Sequence, residues 1–303
     1  MIDERGARQL AKNTAGDEQI GEVSLWDKIV TLPQYLIPQH MLSMLMYRMT
    51  RCEQVWFKNA FIRFITSQYQ VNMAEAADAD LTTYPSFNAF FTRLLKDGVR
   101  PIADSEIVSP VDGVVSQAGP VISGQIVQAK GQEYSVLSLL GGDDALTTEF
   151  VGGQFATIYL SPKDYHRIHM PITGKLRKMR YVPGKLFSVS PRTARAVPDL
   201  FARNERVVVT FDTTIGPMVM VLVGAIFVGS MATVWSGQIT PSYGKVVQQW
   251  TYDGEQAITL EQGQEMGRFN MGSTVVLLFG DQARGFNAQI DADLPIQLGH
   301  SMV

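Results

Sequence analysis

The feature that most restricts this 303-residue chain is a change of texture at Ile107. From there onward the sequence is a series of short runs rich in β-branched residues, separated by Gly, Pro and Asp pairs. Examples are DGVVSQ (112–117), GQIVQAKG (124–131), QFATIYL (154–160), RVVVTFD (206–212), PMVMVLVGAIFVGS (217–230), GKVVQQW (244–250) and GSTVVLLFG (272–280). Runs of this length, punctuated in this way, predict a compact and mainly antiparallel β domain over 103–303. One uncharged stretch, 213–244, has the hydropathy of a membrane span. Four glycines within it (Gly216, Gly224, Gly229, Gly237) and its β-branched content instead predict two buried strands with bends.

Before the switch the chain is of another kind. Residues 1–24 read as a flexible leader, polar and mixed in charge, without the apolar core of a secretory signal, so the protein is expected to stay where it is made. From Leu25 to about Gln70 the pattern is helical and apolar, broken by Pro33 and Pro38. Within RCEQVWFKNAFIRFITSQYQ (51–70), Phe57, Ala60, Phe61, Phe64 and Ile65 recur at helical spacing with Lys58 and Arg63 beside them. Residues 41–70 carry four basic side chains (Arg48, Arg51, Lys58, Arg63) against Glu53 alone. Such a helix suits a membrane interface, with basic groups reaching anionic lipid. The alternative is a helix hairpin packed on its own domain. A further helix is predicted over Ser86–Lys96, with Ser86 as cap and Asp97-Gly98 as terminator. The fold class is therefore α+β, with a helical region over 25–102 ahead of the β-rich part.

Composition removes several function classes. A formal net charge of −3 gives no basic field for nucleic acid. The single cysteine, Cys52, excludes an intramolecular disulfide and a multi-cysteine metal site.

Few residues are suited to proton transfer or nucleophilic chemistry. Of four histidines, His166 and His169 lie together in YLSPKDYHRIHMPITG, in a loop after a predicted strand. As a metal half-site the pair lacks a third ligand and the acid of HExxH. A structural role capping loop carbonyls also fits them. Asp112, in SPVDGVVS, reads as turn chemistry. Ser273, in GQEMGRFNMGSTVVLLFG, is not in a GxSxG elbow. Gly272 before it leaves its carbonyl open to close approach, and Val275–Phe279 after it would hold the junction rigidly. Spacing alone also allows a plain turn entering a buried strand.

Taken in order, these blocks resemble the bacterial phosphatidylserine decarboxylases. The matching stretches are SFNAFFTRLLKDGVRPI (86–102), SPVDGVVSQ (109–117), AKGQEYS (129–135), YLSPKDYHRIHMP (159–171), YVPGKLFSV (181–189), LFARNERV (200–207) and GQEMGRFNMGSTV (263–275). The resemblance runs from about residue 25 to 280. Met271, Lys185 and Gln262 depart from the usual leucine, acid and lysine.

The resemblance implies a proenzyme that cleaves itself between Gly272 and Ser273, leaving a covalently bound pyruvoyl group made from Ser273. It assigns Asp112, His169 and Ser273 to a self-processing triad and His166 to decarboxylation. It also implies phosphatidylserine as substrate, captured as a Schiff base and released as phosphatidylethanolamine, together with membrane-associated N-terminal helices and no metal. The two self-cleaved chains would stay associated, and a dimer of processed protomers would sit peripherally on the cytoplasmic side of the cell membrane.

The chemistry fits those roles. A neutral serine needs an adjacent base, here His169 oriented by Asp112. An α-keto group is an electron sink of the kind pyridoxal phosphate supplies, and the carbanion left by CO2 needs a proton, from His166. Lys163, Arg167 and the loop Gly184–Ser188 are candidates for the lipid phosphate. Two other classes remain open on sequence: a serine hydrolase using the same three residues, and a lipid-binding module without turnover.

Overall fold

The computed structural model describes residues 24–129, 132–227, 230–241, 244–272 and 274–303. Of the expected leader only Ser24 is described, and it caps the first helix through a reciprocal capping box with Asp27. The described helices of the N-terminal region are α1 (Leu25–Thr31), α2 (Gln39–Thr50), α3 (Val55–Tyr69) and α4 (Phe87–Phe91). The prolines act as expected. Pro33 opens a 3-10 turn, Leu32–Tyr35, and Pro38 is the N-cap of α2.

α4 is shorter than the sequence predicts. Ser86 does cap it, accepting from the Ala89 N–H at 3.2 Å. Beyond Phe91, however, the chain leaves the helix so that Leu95 can bridge Ala76 and the Arg93 side chain can turn into the protein. Local propensity loses there to tertiary contact. The aromatic stripe of α3 is likewise divided. Ile62 is fully buried with Phe61 and Ile65 against it, while Phe64 faces outward. Lys58, expected to flank the stripe as a surface cation, is buried, its Nζ donating to the Thr82 carbonyl (2.9 Å) and to Asn59 Oδ1 (2.8 Å).

The strands are β1 (Gly113–Pro120), β2 (Gln125–Ala129), β3 (Gln132–Ser135), β4 (Gln154–Tyr159), β5 (Arg167–His169), β6 (Gly174–Val182), β7 (Arg206–Thr213), β8 (Gly216–Val223), β9 (Met231–Thr233), β10 (Gly237–Gln238), β11 (Gln248–Thr251), β12 (Ile258–Leu260), β13 (Glu265–Phe269), β14 (Thr274–Phe279) and β15 (Pro295–Ile296). A nine-stranded antiparallel sheet runs β11-β6-β7-β8-β14-β4-β1-β15, with β12 also pairing β6. A second sheet runs β10-β9-β13-β5, and β2 pairs β3. The uncharged stretch 213–244 forms strands, as its glycines and β-branched residues suggest, but its described residues hold three where two were expected: β8 and β9 are largely buried and the short β10 is exposed. Among the described residues no helix is long and apolar enough to cross a membrane.

The central strands are continuously apolar because the sheet is covered on both faces. Val207, Val209, Met220, Leu222, Val275 and Leu277 enter one core cluster. Their neighbours Val208, Val219, Val221, Val276 and Leu278 enter the other, as the two-residue period of a strand requires. Near one end of the sheet, a single row of Cα partners reads Val182, Arg206, Val223, Thr274, Tyr159, Val114. The residues next beyond that row, including Glu205, Gly224, Leu160 and Gly113, therefore lie along one edge. α2 and the turn after it reach this edge: Gln39 accepts the Leu186 N–H, Ser43 Oγ the Phe227 N–H, and Arg51 donates to Ser230 Oγ.

Candidate active site

Ser273 itself lies outside the described residues, but both its neighbours are in view. Thr274 begins β14, fully buried between β8 and β4, so the C-terminal side of the junction is held as rigidly as the apolar run predicts. On the other side, Asn270 is fastened to α4, because Asn88 Nδ2 donates to its carbonyl (3.2 Å) and to its Oδ1 (3.1 Å). Met271 packs into two hydrophobic clusters at once. A Cβ built on Gly272 would lie 3.3 Å from His166 Nε2 and 3.3 Å from the Leu160 carbonyl. Glycine at 272 is therefore what lets an imidazole approach the backbone of the junction.

His166 is fully buried. Its Nδ1 is 2.8 Å from the Asp164 carbonyl, so Nδ1 carries the proton and Nε2 the lone pair. That Nε2 has no hydrogen-bond partner among the described residues. The Phe91 ring lies against the imidazole at 4.0 Å between centroids. Burial pushes its pKa down to about 3, despite the Asp164 carbonyl, with the charge of Arg93 adding to the fall. His166 is thus a neutral base whose open nitrogen faces Gly272. Asp164 is placed by its own turn, accepting from the Ser161 N–H (2.7 Å) and hydroxyl (2.8 Å), and burial raises its pKa.

His169 stands on β5, and its backbone N–H donates to the Pro110 carbonyl (2.9 Å), which brings the HxxH strand against the loop that carries Asp112. Its Nδ1 is 2.8 Å from the Gly263 carbonyl and its Nε2 3.3 Å from the Tyr165 hydroxyl. It too is neutral, its pKa lowered by burial, with Nε2 as the basic atom.

The aspartate makes different bonds from those of a simple relay. Asp112 is gripped by Arg100, from Nε at 2.9 Å and Nη2 at 2.7 Å, and accepts the Leu298 N–H at 2.9 Å. Arg100 Nη2 also reaches Glu75 at 2.7 Å, and the two carboxylates drive the Arg100 pKa upward. Asp112 makes no described hydrogen bond to His169, so the tautomer expected to be set by Asp112 is fixed by the Gly263 carbonyl instead; the Glu265 and then the Asp112 carboxylates oppose the fall in the His169 pKa that burial causes. Arg100, Gly263, Tyr165 and Phe91 were not singled out by sequence reasoning. A backbone carbonyl has no residue-type signature, and Arg100 was visible only as part of the block DGVRPI.

A cavity of about 590 Å³ takes Arg93, Arg100, Asp112, Tyr159 and Tyr165 into its wall, and His166, His169 and Gly272 lie behind that wall rather than in it. The groups nominated for phosphate are largely engaged elsewhere. Arg167 donates to Glu265 (2.8 Å) and to the Thr92 carbonyl (2.9 Å). The N–H groups of Leu186, Phe187 and Ser188 donate to Gln39, Asn204 and Gln34. Lys163 is exposed at the rim.

Residues 87–303 match the family model described as phosphatidylserine decarboxylase, and residues 29–70 match a second model described as PSD. The chain is 53% identical over 280 residues to the phosphatidylserine decarboxylase proenzyme of Nitrosococcus oceani, covering 92% of each chain. It is 54% identical over 277 residues to the proenzyme of the same name from Delftia acidovorans, covering 91% of this chain and 97% of that one. With the proenzyme from Shewanella denitrificans it shares 54% identity over 278 residues, 90% of this chain and 96% of the other. With one family model spanning most of the chain and relatives above half identity along nearly all of it, this chain belongs to the phosphatidylserine decarboxylase family.

Proposed function

We infer that this enzyme decarboxylates phosphatidylserine to phosphatidylethanolamine after cleaving its own chain between Gly272 and Ser273. The observation that carries the reading is the lone Nε2 of buried, neutral His166 against the one backbone position, Gly272, that has no side chain to keep it away. A plain turn into a buried strand has no use for either feature. The same two features are what a pyruvoyl group at 273 requires: room at the junction and a proton acceptor beside it.

In maturation, the Ser273 hydroxyl adds to the Gly272 carbonyl, the C–N bond breaks and an ester forms with a free amine. His169 Nε2 takes the hydroxyl proton, with its tautomer held by Gly263 and its charged form favoured by Asp112. Loss of the α-proton and scission of Cβ–Oγ then release the Gly272 carboxylate. Water enters and ammonia leaves from the dehydroalanine that remains. The pyruvoyl group so formed supplies a ketone for the substrate amine and a sink for the electrons that CO2 leaves behind.

The part of His166 follows from its burial. Its Nε2 can take a proton from the substrate ammonium and return it to the carbon that has lost CO2. The imidazolium is disfavoured in so dry a site, which drives the proton onward.

The N-terminal helices support action on lipid at a membrane surface. Their burial is inverted: α1 turns Asp27 and Thr31 inward and α2 turns Gln39, Ser43 and Thr50 inward. Asp27 is clasped by Arg195 at 3.0 and 3.1 Å. Facing outward are Leu25 (74% exposed), Leu36 (86%), Met41, Leu45 and Trp56 (76%), with Arg48 and Arg63 exposed nearby. Helices that dock on a protein core by polar contacts and display apolar side chains fit a bilayer interface on the cytoplasmic side. An enzyme lying there lifts only the head group, since withdrawing an acyl chain costs about 0.8 kcal/mol per methylene.

Intact-mass measurement of the purified protein tests the central claim. The expected result is two chains, the shorter spanning 273–303 and about 17 Da below its unmodified mass, the net of exchanging an amine-bearing serine for a ketone. Ser273→Ala and His169→Ala should leave one uncleaved chain, whereas His166→Ala should still cleave in part but turn over poorly. A catalytically active preparation consisting only of uncleaved chain would refute the reading and favour a hydrolase using a free serine.

A further inference from the structure

Arg93 is a buried cation whose guanidinium lies 5.4 Å from the centroid of the Phe90 ring and whose donors the described residues leave largely unpaired. It is 4% exposed, and its Nη2 donates to the Lys163 carbonyl at 3.1 Å. Nε and Nη1 are buried with no acceptor among the described residues. The other two buried arginines are closed: Arg195 holds Asp27, and Arg206 donates to the carbonyls of Leu139, Ala202, Asn204 and Ser138. Half-buried Arg100 holds Asp112 and Glu75. A guanidinium stays charged even where burial opposes it, and a buried charge short of partners is strongly unfavourable. A fold retains such a group where an anion comes to complete it.

The position suits an anion of the substrate. Arg93 forms part of the wall of the 590 Å³ cavity that Asp112, Asp164 and Tyr165 also line. It follows directly on α4, the helix that fastens Asn270 through Asn88 and lays Phe91 against His166. The four carboxylates in the same wall are offset in part: Asp112 and Glu75 share Arg100, Asp164 accepts from Ser161, and besides Asp293 the wall also holds Lys163.

We propose that Arg93 is the phosphate-binding residue of the substrate site, its Nε–H and Nη1–H groups donating to the phosphodiester of the phospholipid while the amine points toward the Gly272 junction. This rests on the phospholipid substrate inferred above and adds the residue that selects it. Phosphate is the better partner than the serine carboxylate on energetic grounds. A carboxylate held firmly by a guanidinium is stabilised in the ground state and resists losing CO2, whereas a phosphodiester keeps its charge throughout, so binding there does not oppose the reaction.

The test is binding of short-chain lipids to the Ser273→Ala chain, which cannot process and so reports affinity without chemistry. Adding Arg93→Gln should weaken dihexanoyl phosphatidylserine and dihexanoyl phosphatidylethanolamine alike, by about 10- to 100-fold, the loss of a charge-assisted contact to an anion. Arg93→Lys, which keeps the charge, should recover part of that affinity for both lipids. Weakening confined to phosphatidylserine would assign Arg93 to the carboxylate and overturn the proposal, as would unchanged affinity for both. If Arg93→Gln fails to fold, inorganic phosphate decides: it should displace dihexanoyl phosphatidylserine from the chain that retains Arg93, and failure to displace it overturns the contact. Failure of the self-cleavage reading would show separately, as an uncleaved Ser273 chain.

Discussion

Gly272→Ala tests the fit of the junction against His166. The added Cβ would lie 3.3 Å from both His166 Nε2 and the Leu160 carbonyl, a few tenths of an ångström inside the roughly 3.5–4.0 Å of comfortable contact. Neither neighbour has room to retreat. The imidazole is pinned by the Asp164 carbonyl at 2.8 Å and backed by the Phe91 ring at 4.0 Å. Leu160 follows Tyr159, which is paired on both sides, to Thr274 and Val114. The strain therefore falls on the backbone that must react. Overpacking of this kind costs about 1–3 kcal/mol, and carried into the barrier that is roughly a 5- to 150-fold slower cleavage. The assay is a time course of the two-chain product by intact mass after synthesis in a cell-free system. Phe91→Leu makes space behind the imidazole, so the double variant should recover part of the rate, and the two changes should not be additive. Cleavage of Gly272→Ala at the parent rate, or slow cleavage that Phe91→Leu leaves untouched, would refute the reasoning.

Three other expectations concern stability. Arg100→Met leaves Asp112 and Glu75 without their cation and should lower the unfolding free energy by about 3 kcal/mol, with Arg100→Met/Asp112→Asn recovering part of the loss in urea titrations. His166 titrates near 6.5 unfolded and about 3 folded, so its share of the stability is complete above pH 6.5 and lost as pH falls toward 3. Parent and His166→Gln should therefore draw together by about 2.3 kcal/mol between pH 6.5 and 4.5, a little under two units at 1.36 each because the unfolded imidazole is half protonated at the upper limit; parallel curves would contradict a buried neutral imidazole. Glu205 has the opposite sign. It is fully buried, with its pKa raised to about 7 by burial, and His40, 3.8 Å away, is itself held neutral by burial and offers no compensating charge. Stability is therefore present below pH 4.5 and lost as pH rises through about 7. Glu205→Gln should stabilise the protein by about 3 kcal/mol at pH 8 and leave it unchanged at pH 4.

Much of the architecture could be read along the chain because it depends on neighbours close in sequence. Pro33 and Pro38 break the first helices whatever surrounds them, and Ser86 caps α4 through a residue three positions away. Val275–Phe279 is apolar at every position because both faces of its strand are covered. The end of α4 was misjudged because Thr92–Leu95 leave the helix for partners far away, and Lys58 because its acceptor, the Thr82 carbonyl, belongs to another segment.

The site divides along the same line. His166 and His169 could be nominated from residue type, since few side chains can move protons, whereas Asp112 and the Gly272–Ser273 junction read alone as turns and were marked only by the resemblance of the ordered blocks to the family. That Asp112 is bound to Arg100, that Gly263 orients His169, that His166 Nε2 faces Gly272, and that Arg93 is left with open donors could not be read in that way. Those facts depend on which backbone carbonyls and carboxylates arrive within 3 Å once distant strands are in register, and no residue type announces that. Residue types can say which groups are able to act; only packing decides which protons and charges remain unpaired, and so available for chemistry.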